Sequence, residues 1–110
     1  MRRVPRARPL SENVIETRDR IRAGELTAAA AVEDALRQVE AVNPQIEAAT
    51  DILREEALRQ AAEIDRKLEA GEDAGPLAGV PFTVKSNICT LDGRTSAASR
   101  IIEDHISPYE

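Results

Sequence analysis

The spacing of apolar residues changes once along the chain, at about Val80. Upstream, apolar residues recur every three to four positions, which predicts helices. From there Val80, Phe82 and Val84 alternate with other residues, which predicts a buried strand over residues 80–84. A buried strand needs hydrogen-bonding neighbours on both edges. The chain offers one weak candidate neighbour, residues 45–50, so we expect the other strands to come from outside this sequence.

Three helices are predicted before the strand and a short one after it. Ser11 and Thr27 are good N-cap residues, because their side chains can accept hydrogen bonds from the first free backbone N–H groups. Asn43-Pro44 and Gly71 favour helix ends. The expected helices span about residues 11–23, 27–43, 51–70 and 96–103.

Large side chains that could build a core are scarce. Hydrophobic residues make up 42% of the 110 residues, but many of them are alanine, and the two aromatic residues are Phe82 and Tyr109. Burial of alanine contributes little free energy, so we expect a thin core and an incomplete domain. Residues 1–9 carry four arginines and no acid, and we expect them to form a flexible basic tail.

Charge and cysteine content argue against several classes of protein. The formal net charge is −5 although the first nine residues are basic, so no basic nucleic-acid surface spreads over the body. Cys89 is the single cysteine, which rules out an internal disulfide and fits a reducing cytoplasm. The longest apolar run, Ala28–Val32, is far shorter than the roughly 20 residues of a membrane span. His105, with scattered carboxylates, does not make a metal site.

Lys85 directly follows the predicted strand and is the candidate catalytic residue. Ser86 and Asn87 come next rather than a charged run, which is consistent with partial burial. Burial disfavours the ammonium form of a lysine side chain, and a neutral amine can take the proton of a serine hydroxyl in acyl transfer. A solvent-facing lysine at a strand end is the alternative, and from the residues alone it is the commoner case.

The segment around Lys85 resembles the opening of the amidase signature family. It reads Gly75-Pro-Leu-Ala-Gly-Val-Pro-Phe-Thr-Val-Lys85-Ser-Asn-Ile, where members of the family typically read GPLxGxPxxxKDNI. The likeness continues through residues 94–101 and 107–110 and covers about residues 10–110. Within the family, the chain is most similar to the glutamine-hydrolysing subunits of aspartyl/glutamyl-tRNA amidotransferases.

The resemblance implies a fold and a catalytic role. The implied fold is α/β, a mixed sheet flanked by helices, and residues 10–110 would be the N-terminal part of a truncated amidase domain: a helical segment plus the first core strand. Lys85 would be the terminal base of a Ser-cisSer-Lys triad. Both serines lie beyond Glu110 in family members, so we expect this chain alone to be inactive. Ser86 replaces the family's usual acid, and Phe82 a residue that is often smaller.

The resemblance also implies substrates and partners. The amidase subunit would hydrolyse glutamine, and the ammonia would pass to a partner protein that amidates Glu- or Asp-charged tRNA with ATP and magnesium, giving Gln-tRNA or Asn-tRNA. The amidase step would need no cofactor or metal, and the complex would be cytoplasmic with no membrane contact. Two alternatives remain: a free-standing amidase of small aryl or alkyl amides, which Phe82 favours, and a noncatalytic helical interaction module.

Overall fold

The computed structural model describes residues 13–110 as three helices followed by a long irregular segment. The expected basic tail, residues 1–9, and the expected cap Ser11 lie outside the described residues. All three long helices that the apolar spacing predicts are present, with shifted ends. They are α1 (Val14–Arg22), α2 (Ala28–Ile46) and α3 (Arg54–Glu69), and a 3-10 turn spans Arg100–Ile102.

The core lies between α2 and α3. Ala61 of α3 is 2% exposed and belongs to one buried cluster with Ala28, Val32 and Leu36 of α2. Because alanine is small, the two helices can approach closely where these residues meet. The half-buried residues packed against this cluster are Ala29, Ile52, Ala57, Leu58 and Ile64. The buried side chains of this interface are therefore all aliphatic, and three of the contacting residues are no larger than valine.

The N-terminus of α2 has two caps. The Thr27 hydroxyl accepts a hydrogen bond from the backbone N–H of Ala30 at 3.1 Å, as the sequence predicted. The Asp65 carboxylate, on α3, accepts from the backbone N–H groups of Ala28 and Ala29 at 2.7 and 3.0 Å. The first N–H groups of a helix have no partner within the helix, and the helix dipole favours a negative charge there. Asp65 therefore ties α3 to the start of α2.

The C-terminal end of α2 corrects two sequence predictions. The helix does not stop at Asn43-Pro44 but continues through Pro44 to Ile46. Glu47 closes it in the left-handed conformation (φ 48°), and its N–H donates to the Asn43 carbonyl at 2.7 Å. The Asn43 side chain then bonds both backbone groups of Ala49, at 2.8 and 3.0 Å. The predicted strand over residues 45–50 is therefore wrong, because its first residues are helical and the following ones are held in a turn.

The buried strand predicted over residues 80–84 is not formed by the part of the chain that the structure describes. That part contains one isolated antiparallel bridge, between Arg94 and Ile106, and no mixed sheet. Phe82 is 83% exposed and Val84 45% exposed. The strand-like composition is present, but no second strand lies beside it to accept the backbone hydrogen bonds of a ladder.

Gly79 brings the segment before Lys85 against the helices. It is buried with φ +83°, and a Cβ at this position would lie 2.8 Å from the Ala28 Cβ and 3.0 Å from the Ile21 Cδ1. Only glycine accepts both this backbone conformation and this contact. The second glycine of the GPLAGVP run is thus a packing residue, and it fixes where the irregular segment leaves the helices.

Arg94 fastens the later part of the irregular segment to the residues just before α3. Its backbone N–H, Nε and Nη2 donate to the Asp51 carboxylate at 3.1, 3.0 and 2.6 Å respectively. The planar guanidinium fits a carboxylate with two parallel bonds. The Arg94 side chain holds the pKa of Asp51 below its ordinary value, chiefly through these hydrogen bonds. Asp51 was predicted to start α3; the helix begins at Arg54 because Asp51 bonds Arg94 instead.

The double cap of α2 makes a testable contribution to stability. Asp65→Ala is expected to lower the free energy of unfolding by about 1–2 kcal/mol, because two backbone N–H groups lose their acceptor. Urea denaturation followed by helical circular dichroism measures this change. Asp34→Ala, which removes an exposed carboxylate from α2, is the control and is expected to change stability by less than about 0.5 kcal/mol. Equal losses in the two variants would contradict the role of Asp65.

The Asp51–Arg94 pair predicts a pH dependence of stability. Because the folded-state pKa of Asp51 is lowered, the pair contributes stability above the unfolded-state pKa, about 3.9, and this contribution is lost as the pH falls through the folded-state value. The unfolding free energy of Arg94→Met should therefore lie below that of the unchanged chain at pH 7, with a difference that shrinks below about pH 4. Denaturation curves at several pH values measure this difference. A difference that stays constant down to acid pH would count against the pair.

Candidate active site

Lys85 lies on the exposed surface of this structure, at the end of the irregular segment that leaves the helices at Gly79. Among the described residues, none makes a hydrogen bond or an ion pair with its Nζ. The partial burial expected from the sequence is therefore absent here. The physical reason is the same as for the strand: the neighbours that would cover both edges of residues 80–84 are not part of the described chain.

The backbone on the C-terminal side of Lys85 is ordered by a closed turn. The Lys85 carbonyl accepts from the Ile88 N–H at 3.0 Å, and the Ser86 carbonyl accepts from the Ala97 N–H at 3.0 Å. The Thr95 hydroxyl donates to the Ile88 carbonyl at 3.5 Å. These contacts join the residues that follow Lys85 to the residues that follow Arg94. Residues 85–97 thus form a loop that is closed at its base.

Two consecutive alanines just after this loop closes adopt the left-handed conformation. Ala97 has φ 48° and Ala98 has φ 57°. This region costs a non-glycine residue roughly 1–2 kcal/mol, and such strain persists only where the surroundings hold it. Thr95 and Ser96, which come just before, are buried. The sequence predicted a helix from Ser96 and contained no signal for this turn.

The serines near Lys85 have local roles, as the sequence predicted. Ser99 caps the 3-10 turn, because its hydroxyl accepts from the Ile101 N–H at 3.3 Å. The Ser96 carbonyl accepts from the Ser99 N–H at 2.9 Å, and the Ser86 carbonyl takes part in the closed turn. None of the three hydroxyls lies within hydrogen-bonding distance of the Lys85 Nζ in the described structure. The expected helix over residues 96–103 is reduced to this 3-10 turn.

The other candidates stay outside the site. Cys89 is a half-buried free thiol and His105 is exposed. Over residues 13–110, no group of histidine, cysteine and carboxylate side chains is arranged to hold a metal ion. A search of the same residues finds no helix that combines the length and the apolar character needed to cross a membrane.

The arrangement supplies one half of a proton-transfer centre. It holds an amine at the start of an ordered loop, with Gly79 packed on the helices before it and Arg94 bonded to Asp51 after it. Acyl transfer also needs a nucleophilic hydroxyl within reach of the base. The described residues bring no such hydroxyl to Lys85.

Comparison with known proteins identifies clear relatives, all of them first-named subunits of glutamyl-tRNA(Gln) amidotransferase, the GatA chain. The chain is 41% identical over 95 residues to that of Carboxydothermus hydrogenoformans, a match that covers 86% of this chain and 20% of that protein. It is 38% identical over 97 residues to that of Prochlorococcus marinus (strain MIT 9303), covering 88% of this chain and 20% of the relative. The Nostoc punctiforme relative is 41% identical over 86 residues, or 78% of this chain and 18% of the relative. No solved structure matches.

These matches define how much of a whole protein the chain represents. It spans about a fifth of the length of the curated relatives. The profile of the family described as Amidase matches residues 30–110, from the first turns of α2 through Lys85, Arg94 and the left-handed turn. More than half of the chain lies within this match, so the chain belongs to the amidase family.

Proposed function

We propose that this chain is the N-terminal part of the glutamine-hydrolysing subunit of a tRNA-dependent amidotransferase, and that Lys85 is its catalytic base. The observation that carries the proposal is the run from Gly75 to Ile88, which bears Lys85 and lies within the family match. Relatives that are about 40% identical over most of this chain are named as subunits of glutamyl-tRNA(Gln) amidotransferase.

In the proposed reaction Lys85 is the last member of a proton relay. Its neutral amine takes the proton of a bridging serine, which takes the proton of the nucleophilic serine. The nucleophile attacks the side-chain amide carbonyl of glutamine, ammonia leaves, and water hydrolyses the acyl-enzyme to glutamate. This amide step uses side chains and water. The ammonia would serve a partner protein that amidates charged tRNA with ATP and magnesium.

The remainder of an amidase domain would supply what Lys85 lacks here. The chain exposes 8596 Å² of surface, whereas a self-contained monomer of this size exposes about 6,000 Å². Its radius of gyration is 15.7 Å, against about 13 Å for a compact chain of similar length. Both values support a surface that is built to be covered.

The exposed apolar side chains include those around the proposed base. Phe82, Val84 and Ile88 are 83%, 45% and 55% exposed, and they flank Lys85 in the sequence. Pairing of residues 80–84 with strands of the remaining domain would complete a mixed sheet and bury these side chains. It would also exclude water from the amine, which is the condition for a lysine to act as a base.

A chimeric enzyme tests the proposal. The 95 matching residues of this chain replace their counterparts in the Carboxydothermus relative, which is then assembled with the other proteins of that complex. We expect the chimera to release ammonia from glutamine, and Lys85→Ala to lower kcat on the order of 100- to 10,000-fold, as loss of a general base does. Steady-state ammonia release measures both values.

The chain provides a matched control, because Lys67 on α3 is its one other lysine. Lys67→Ala should leave kcat unchanged. Full activity of the Lys85→Ala chimera would overturn the catalytic assignment. Hydrolysis of a small aryl amide, but not of glutamine, would move the chain to the free-standing amidases. The 110-residue chain alone is expected to release no ammonia from either substrate.

A further inference from the structure

The segment that leads into Lys85 has no sheet to orient it in this structure. The N–H groups of Phe82, Thr83 and Val84 make no hydrogen bond to other backbone groups of the described chain. The direction in which Lys85 points is therefore set by contacts on its C-terminal side. Those contacts are the bonds from Ile88 to the Lys85 carbonyl and from Ala97 to the Ser86 carbonyl, each 3.0 Å long.

Both contacts depend on the backbone that follows Arg94. The Thr95 N–H donates to the His105 carbonyl at 2.8 Å, and the Thr95 hydroxyl reaches the Ile88 carbonyl. The next residues turn through two left-handed alanines to present the Ala97 N–H to Ser86. A strained turn of this kind relaxes unless neighbouring contacts hold it.

Arg94 supplies the strongest of these contacts. Its guanidinium and its own backbone N–H bond the Asp51 carboxylate, and its Nη2 also reaches the Thr50 carbonyl at 3.4 Å. Charge-assisted bonds in this forked geometry hold a side chain and its backbone in one orientation. Asp51 is itself positioned just before α3, whose residues pack in the core.

We infer that Arg94, anchored on Asp51, is a positioning residue for Lys85: it fixes the left-handed turn whose Ala97 N–H orders the backbone at Ser86. This inference rests on the proposed function of Lys85 as the base. Arg94 touches no reacting atom. Its effect reaches Lys85 through the hydrogen bonds that close the 85–97 loop.

Nuclear magnetic resonance on the full 110-residue chain tests the structural link. Reductive methylation with carbon-13 labels only two lysines, so Lys85 reports on the loop and Lys67 on the helices. Arg94→Met is expected to shift the Lys85 signal, to lower the hydrogen-exchange protection of the Ala97 amide about tenfold or more, and to leave Lys67 unchanged. Arg37→Met, which removes an exposed pair on α2, should change none of these.

The outcomes separate positioning from loss of fold. An unchanged Lys85 signal together with unchanged Ala97 protection in Arg94→Met overturns the inference. If Arg94→Met loses the protected amides of α2 and α3, Asp51→Asn replaces it; this variant keeps an acceptor but removes the charge, and the same criteria apply. Arg94→Lys keeps the charge without the fork, and it should give changes intermediate between Arg94→Met and the unchanged chain.

Kinetics of the chimeric enzyme then separate this inference from the proposed function. Arg94→Met should lower kcat about 10- to 100-fold with an unchanged KM for glutamine, because a displaced base slows the chemical step. If Lys85→Ala abolishes hydrolysis while Arg94→Met does not change kcat, the inference fails and the proposed function stands. If Lys85→Ala has no effect, the proposed function fails, and the resonance experiment still decides whether Arg94 orders the loop.

Discussion

The packing of α2 against α3 is the interaction on which the rest of this structure depends. Ala61 brings α3 into the buried cluster of α2, and Asp65 bonds the first free N–H groups of α2. The irregular segment is then attached to this pair of helices at two points. Gly79 packs on Ala28 before Lys85, and Arg94 bonds Asp51 after it. The proposed catalytic lysine is therefore placed by a helical base, although none of the helices carries it.

The two attachments differ in physical kind, and this difference bears on function. The contact at Gly79 is steric: a single added methyl group would collide with α2. The contact at Arg94 is electrostatic and directional, and it holds a turn of two left-handed alanines. A steric contact sets position, whereas a forked hydrogen bond also sets orientation. Together they can hold the loop in one arrangement before a sheet forms around residues 80–84.

Features that depend on neighbours in the sequence could be predicted, and features that depend on distant partners could not. Apolar spacing located all three long helices, and Thr27 caps α2 as expected. The strand-like residues 80–84 show the opposite case, because a strand exists only with a partner. The motif singled out Lys85, but its exposure depends on the same missing partner. The bond between Asp51 and Arg94 joins residues 43 positions apart, and neither residue type announces it.

The central claim is that Lys85 is exposed in this chain and becomes covered when the rest of an amidase domain surrounds it. Chemical acetylation measured residue by residue tests this most directly, with Lys67 as the internal reference. In the 110-residue chain, Lys85 should react about as fast as Lys67. In the chimeric enzyme its reaction should slow more than about tenfold relative to Lys67, because burial restricts access of the reagent. Equal relative rates in the two proteins would contradict the account.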